Sequence, residues 1–295
     1  MKSKTKNIPL KVIKIIIAVL AVLFIFYKID YQTLNTINYT NFKFIFLVFL
    51  LMFFNWGIES YKWKLLINSF LNFKYILAVR SVISGVATSI FTPNRVGEFV
   101  GRLSFIPKEH IPKAIVSEIY GSLSQSFVTI TAGLLALLSN HELTSQIKTD
   151  NTLIITTLTL VTIAILLILY KQKKLKEIIK LFKDISFGLI LKITALSILR
   201  YFIFVLQFYL ILRSLHFSPE IAQTFYAISI FYFLMMFLPV FTITEPGVRI
   251  GVSLLVFPFF NIPDNISLLA ISLLWLINIA IPAIAGAVIF ASSKK

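Results

Sequence analysis

The sequence predicts an all-α polytopic membrane protein: six spanning helices plus two re-entrant hairpins, or about eight transmembrane helices by a plainer count, in one membrane domain over residues 1–295. Composition is the first ground. Of 295 residues 58% are apolar and 14% charged, with a mean hydropathy of +0.90. A soluble domain is about 45–50% apolar and about 25% charged, so this chain has too few charges to cover a globule. The second ground is a set of apolar runs long enough to cross about 30 Å of hydrocarbon as helices. The third is the placement of charge: the net +16 falls in short bursts between those runs, which reads as membrane topology rather than as a nucleic-acid surface.

The uninterrupted runs are Val12–Tyr27, Phe42–Tyr61, Ile115–Leu138, Leu153–Tyr170, Ile193–Leu212 and Ile266–Phe290. The first follows a basic start as a signal peptide would, but no small-residue cleavage site follows it, so it reads as a retained helix. Two further segments, Tyr75–Phe105 and Ile221–Phe260, are interrupted midway by Pro, Gly, Arg and Glu. The 29 Phe residues read as lipid-facing bulk.

Lys and Arg in short loops favour the cytoplasmic side. Twenty-two of the 28 fall on one side: the first 14 residues, Lys62–Arg80, Arg95–Lys113, Lys171–Lys192 and the tail. The other side carries Lys28, Lys43, Lys148 and Arg213, while Arg200 and Arg249 lie within apolar runs. This division requires Tyr75–Phe105 to enter and leave on the cytoplasmic side, and Ile221–Phe260 to enter and leave on the outer side. The order is then two spans, a hairpin and a span, repeated with opposite orientation. The expected halves are 1–140 and 150–295, with a cytoplasmic linker at 171–192 and both termini cytoplasmic, the plan of many transporters. The plainer alternative is eight or more ordinary crossings. The basic stretch Lys171–Lys183 reads as an amphipathic linker lying against anionic lipid.

Both interruptions look like helix starts inside an apolar run. One reads Thr92-Pro93-Asn94-Arg95-Val96-Gly97-Glu98 and continues to Gly101-Arg102; the other reads Thr244-Glu245-Pro246-Gly247-Val248-Arg249 and continues to Gly251. Proline suits the first helical position, which makes Thr92 and Glu245 candidate caps. The pairs Gly97/Gly101 and Gly247/Gly251 have the spacing that lets helices approach closely in lipid. Glu98 precedes Arg102, and Glu245 precedes Arg249, at the favourable i,i+4 spacing, and Arg95 shares the first of these faces. Ionisable residues inside a membrane are costly and mark functional sites by default. Four of the six Arg (Arg95, Arg102, Arg200 and Arg249) sit in or at apolar segments. A guanidinium fork suits phosphate or carboxylate, and helix N-termini add positive potential.

The candidate substrate-binding residues are therefore Arg95, Glu98, Arg102, Glu118, Glu245 and Arg249. Pro93, Gly97, Gly101, Pro246, Gly247 and Gly251 shape the hairpins. The alternative is internal pairing, in which the carboxylates neutralise the arginines and lock the hairpins together. Glu118, Ser122, Gln125, Ser126 and Thr129 form a stripe at helical spacing that either faces a cleft or bonds its own helix backbone. Glu59 reads as interfacial, and Arg200 has no evident partner in sequence.

Cysteine is absent, and His110, His141 and His216 lie far apart, so no metal site, thiol nucleophile or cofactor is expected. No histidine lies near either interruption, and the four Asp form no pair inside an apolar run, so no catalytic residue is assigned.

These residues resemble the transmembrane region of lysylphosphatidylglycerol synthases, a flippase-like group also known as uncharacterised family 0104. The resemblance covers essentially the whole chain. Its carriers are Trp63-Lys64-Leu65-Leu66, the Pro93-x-Arg95-x-Gly97-Glu98-x3-Arg102 element, and Leu238-Pro239 followed by Thr244-Glu245-x-Gly247-Val248-Arg249. The resemblance implies an inner-membrane lipid translocator with the matching Arg and Glu residues at its substrate cleft. Members that make lysyl-lipids carry an additional soluble aminoacyl-transfer domain. This sequence ends shortly after its last apolar run, so that activity is not expected here.

The leading expectation is thus a non-enzymatic translocator of an anionic lipid or lipid-linked precursor. The alternatives are an intramembrane lipid-phosphate phosphatase or transferase, and an accessory scaffold for envelope-synthesis proteins. Expected partners are membrane lipids with an anionic headgroup.

Overall fold

The computed structural model describes residues 41–90, 92, 95–139, 186–238 and 245–292. The predicted crossings at Val12–Tyr27 and Leu153–Tyr170, residues 171–185 of the linker, and Pro93 lie outside the described residues. Every regular element among the described residues is helical. The chain forms α1 (Phe42–Ile67), α2 (Tyr75–Ser89), α3 (Gly97–Leu103), α4 (Ile111–Ser139), α5 (Phe187–Ser214), α6 (Ile221–Phe237), α7 (Glu245–Val256) and α8 (Asp264–Ser292).

Four of these segments are long and apolar enough to cross a membrane: α1, α4 with the 3₁₀ turn before it (Lys108–Ser139), α5 and α8. They are the four expected uninterrupted runs that fall within the described residues. Their outward faces carry Phe46, Phe53, Phe54, Phe127 and Phe202, all exposed. Apolar side chains exposed along such helices are what a lipid solvent demands, because no water is present there to favour polar groups. Phenylalanine is not only lipid-facing, however. Phe208, Phe231 and Phe257 are fully buried and mutually packed, with ring centroids 5.0 Å (Phe208–Phe257) and 5.6 Å (Phe231–Phe257) apart. They form an aromatic wedge joining α5, α6 and the 3₁₀ turn after α7.

Two of the predicted boundaries move. Helix α1 runs on past Tyr61 to Ile67, because Glu59 and Lys62 pair one turn apart and Trp63 and Leu66 are buried. Helix α5 begins at Phe187, inside the expected 171–192 linker, where the Ser186 side chain accepts from the Leu189 N–H and caps it.

The two interrupted segments are broken helices. Helices α2 and α6 have 15 and 17 residues and are short for a crossing. In the first break α2 and α3 run antiparallel. Ser81 Oγ donates to the Arg102 carbonyl at 2.9 Å, and Thr88 Oγ1 donates to the Gly97 carbonyl at 2.6 Å. A Cβ on Gly101 would meet the Gly85 Cα at 2.5 Å, and one on Gly97 would collide with the Thr88 carbonyl, so this hairpin closes backbone to backbone. Its ends meet as well, since the Phe70 ring packs on His110 with centroids 5.8 Å apart.

The start of α3 differs from expectation. The helix begins at Gly97, not at Pro93, yet Thr92 still supplies an oxygen to it, accepting from the Gly97 N–H at 2.6 Å. Helix α7 begins at Glu245, with Pro246 in its first turn. Its glycines do not repeat the close approach of the first hairpin. Among the described residues a Cβ on Gly247 or Gly251 would meet nothing within 4 Å. Among the described residues the Gly-x-x-x-Gly spacing therefore closes the first hairpin and finds no neighbour in the second.

Helix α8 is interrupted by a π turn at Leu276–Ala280. Before it, α8 packs on α7; after it, Gly286 lies directly against the Ile83 carbonyl of α2. The wider turn lies between these two contacts, and π turns of this kind are frequent at functional sites.

Candidate functional site: a charged cleft between the broken helices

The residues of both breaks face one cavity of about 670 Å³. Arg95, Glu98 and Arg102 reach it from the first break, Glu245 and Arg249 from α7, and Glu118 from α4. All six sequence-predicted substrate residues thus line a single cleft. The α4 stripe of Glu118, Ser122, Gln125, Ser126 and Thr129 lines it too, and Thr129 also bonds its own helix, donating to the Gln125 carbonyl at 3.0 Å. Both readings of that stripe hold in part.

Arg102 is the most enclosed of the arginines. Its Nη1 donates to Glu118 Oε2 at 2.8 Å, its Nη2 to Glu59 Oε1 at 3.0 Å and, more weakly, to Glu98 Oε2 at 3.4 Å. The guanidinium lies 5.6 Å from the ring centre of Trp63, whose Nε1 donates to Ser81 Oγ at 2.9 Å. The predicted i,i+4 partner Glu98 is therefore the weakest of the three. A helix face supplies that neighbour, whereas packing of α3 against α1 and α4 supplies the closer ones. Glu98 turns its other oxygen to Arg95 Nη2 at 2.6 Å. In the second break Arg249 donates from Nε and Nη2 to a single oxygen, Glu245 Oε1, at 2.8 and 2.6 Å.

Arg95 is different. Its side chain is 32% exposed, against 5% for Arg102 and 14% for Arg249. Its backbone sits in the left-handed region at φ 59°, which is uncommon for a residue with a Cβ and costs of order 1–3 kcal/mol. The turn that holds it there is closed by the Glu98 N–H donating to the Arg95 carbonyl at 2.9 Å. Such strain is retained where surrounding structure over-determines a conformation, typically at ligand sites.

Two expectations are corrected. Glu59, read from sequence as interfacial, is buried at 7% exposure, accepts from Arg102 and from Arg200 Nη1 at 2.6 Å, and forms an ion pair with Lys62 Nζ at 3.3 Å. Arg200, partnerless in sequence, also bonds Asn55 Oδ1 and is flanked by the rings of Trp56 and Phe204 at 5.3 and 5.5 Å. Lys62, Arg95 and Arg102 are thereby removed from the loop charges on which the orientation count drew. Of the 22 basic residues counted on that side, 19 remain, against four on the other.

Sequence inspection missed Glu59, Arg200, Trp56 and Asn278. Trp56 Nε1 donates to the Asn278 carbonyl in the π turn at 3.1 Å, so this turn forms one wall of the cleft. The signal available was a carboxylate inside an apolar run in α1 and an arginine inside another in α5, each too costly to leave unpaired. Among the described residues no group of three or more His, Cys, Asp or Glu is arranged to hold a metal ion.

An all-helical bundle with broken helices and a buried charged cleft defines a multi-pass membrane protein. Residues 11–286 match the family described as the lysylphosphatidylglycerol synthase TM region, and the chain belongs to that family. No curated protein and no solved structure gives a significant match.

Proposed function

We propose that this protein translocates a lipid with a phosphate-bearing, anionic headgroup across the cytoplasmic (inner) membrane, with the headgroup in the cleft and the tails in the bilayer. One observation carries the reading. Arg95 is a strained, partly exposed arginine at the hairpin tip, held by one carboxylate, Glu98, and it opens on a cavity of about 670 Å³ whose other arginines are more deeply buried against carboxylates. A guanidinium fork is a charge-assisted donor matched to phosphate oxygens. Family membership supports a lipid-related role. The two broken helices, one from each proposed half, support an inverted repeat in which 1–140 and 150–295 rock about the cleft. Both termini are cytoplasmic in this reading.

The test is headgroup flipping of a tail-labelled phospholipid in proteoliposomes. Wild type accelerates it, and Arg95→Ala at equal reconstitution does not. Equal rates for the two proteins would count against translocation through the cleft.

A further inference from the structure

The carboxylates of the cleft are unequally supplied with cations, and the shortfall lands on Glu118. Glu59 faces Arg200 and Lys62 besides Arg102. Glu98 holds Arg95 at 2.6 Å, and Glu245 holds Arg249 at 2.6 Å. Glu118 has one cation among the described residues, Arg102 Nη1 at 2.8 Å, and that guanidinium also serves Glu59 and Glu98. Three carboxylates thus draw on Arg102, and two of them have cations elsewhere. Glu118 is buried yet lines the cavity. A carboxylate so placed is balanced by a cation or by a proton, because an isolated buried charge is far costlier than neutralisation. The charged and titratable side chains around it are Glu59 and Lys62 on α1, Glu98 and Arg102 on α3, Arg200 and Tyr201 on α5 and Tyr232 on α6, with Arg95, Glu245 and Arg249 also on the cavity wall. Of these, Arg102 is the one in ion-pair contact. Arg102 also has a donor to spare, since its buried Nε has no hydrogen-bond partner among the described residues.

We infer that the protein couples translocation to a proton, which Glu118 takes up as Arg102 passes from its carboxylate to the substrate phosphate. The inference rests on the headgroup reading above. The only covalent bond made is the O–H on Glu118, with the proton drawn from solvent in the cleft. Arg102 Nη1 leaves Glu118 Oε2 and donates to a phosphate oxygen, while Nη2 keeps Glu59 and Glu98. When the headgroup departs, the guanidinium returns to Glu118 and the proton is expelled on the side where the headgroup was released. One proton and one headgroup therefore cross together, and a pH gradient drives the headgroup towards the alkaline side.

Calorimetric titration of dihexanoylphosphatidylglycerol into the purified full chain in detergent, in two buffers of different ionisation enthalpy, counts the protons taken up on binding. Wild type is expected to take up about one, with affinity falling by up to about tenfold per pH unit towards alkaline conditions. Glu118→Gln is expected to take up none. In proteoliposomes an acid-outside gradient should speed the inward movement of a tail-labelled phospholipid by wild type and leave Glu118→Gln unchanged. Binding without proton uptake, or flipping indifferent to the gradient, overturns the coupling and leaves the headgroup cleft in place. Absence of both binding and flipping overturns the two readings together. Uptake retained in Glu118→Gln puts the proton on another group and overturns the assignment. Should Glu118→Gln fold poorly, uptake retained in both Glu98→Gln and Glu245→Gln supports Glu118, and its loss in either overturns the assignment.

Discussion

Glu59 accepts from Arg102 through one carboxylate oxygen, at 3.0 Å, and from Arg200 through the other, at 2.6 Å. Arg102 belongs to the first broken helix and Arg200 to α5, on the far side of the unit from it in sequence. One side chain on α1 therefore clasps the hairpin to the helix that packs most closely on α1. If the two halves move against one another, this clasp lies on the seam.

Glu59→Gln leaves Arg200 with no carboxylate among its described partners, and Lys62 likewise. Removing one member of a buried ion pair costs roughly 3–5 kcal/mol, so a large fall in the thermal melting point in detergent is expected. Adding Arg200→Met to Glu59→Gln removes the stranded cation and should recover part of that loss. A double variant no more stable than the single one would show that Arg200 is not what Glu59 balances.

The two Gly-x-x-x-Gly pairs should respond in opposite ways to one methyl group. Gly101→Ala places a Cβ against the Gly85 backbone and forces the hairpin apart. Overpacking of that kind costs typically 1–3 kcal/mol. Among the described residues a Cβ on Gly251 meets nothing within 4 Å, and the position lies inside α7, where alanine is favoured over glycine by roughly 0.5–1 kcal/mol. Melting of both variants checks this, and similar destabilisation by the two would contradict the packing described.

Arg95→Lys distinguishes a charge pair from a phosphate clamp. A lysine can keep a single contact with Glu98, so stability should change by less than about 1 kcal/mol, the usual worth of a partly exposed pair. Lysine offers no planar fork. Flipping activity in proteoliposomes is expected to fall well below wild type even where the melting point is kept, and full activity would assign Arg95 to structure alone.

Orientation can be read by single-cysteine labelling, because the chain contains no cysteine. Lys108→Cys, in the turn after the first hairpin, should react with an impermeant maleimide from the cytoplasmic face, and Glu220→Cys, before the second hairpin, from the outer face. Reaction of Lys108→Cys only from outside would overturn the inverted arrangement.

The cleft was legible in the sequence in unequal parts. Arg95, Glu98, Glu245 and Arg249 pair within one helical turn of each other, so local spacing alone brings them together. Glu118 and Arg102 are 16 residues apart, and Glu59 and Arg200 are 141 apart; nothing periodic links either pair. Glu59 was misread because its run ends in Lys62 and Lys64, which resembles an interfacial ending, whereas Lys62 is turned inward and buried. For the second glycine pair the spacing shows that a close approach is possible without supplying a partner among the described residues.

What the sequence determined by itself was the all-helical membrane architecture, the four described spans and the two breaks. Apolar content, run length and Pro-Gly interruptions act on each segment separately, and a bilayer leaves a segment no alternative to the helix. What only the tertiary structure decided was which buried charges answer one another. That choice depends on how helices cross, and it is made by the cost of leaving any ion unpaired away from water. It gathered four arginines and four carboxylates around one cavity and left Arg95 at its mouth.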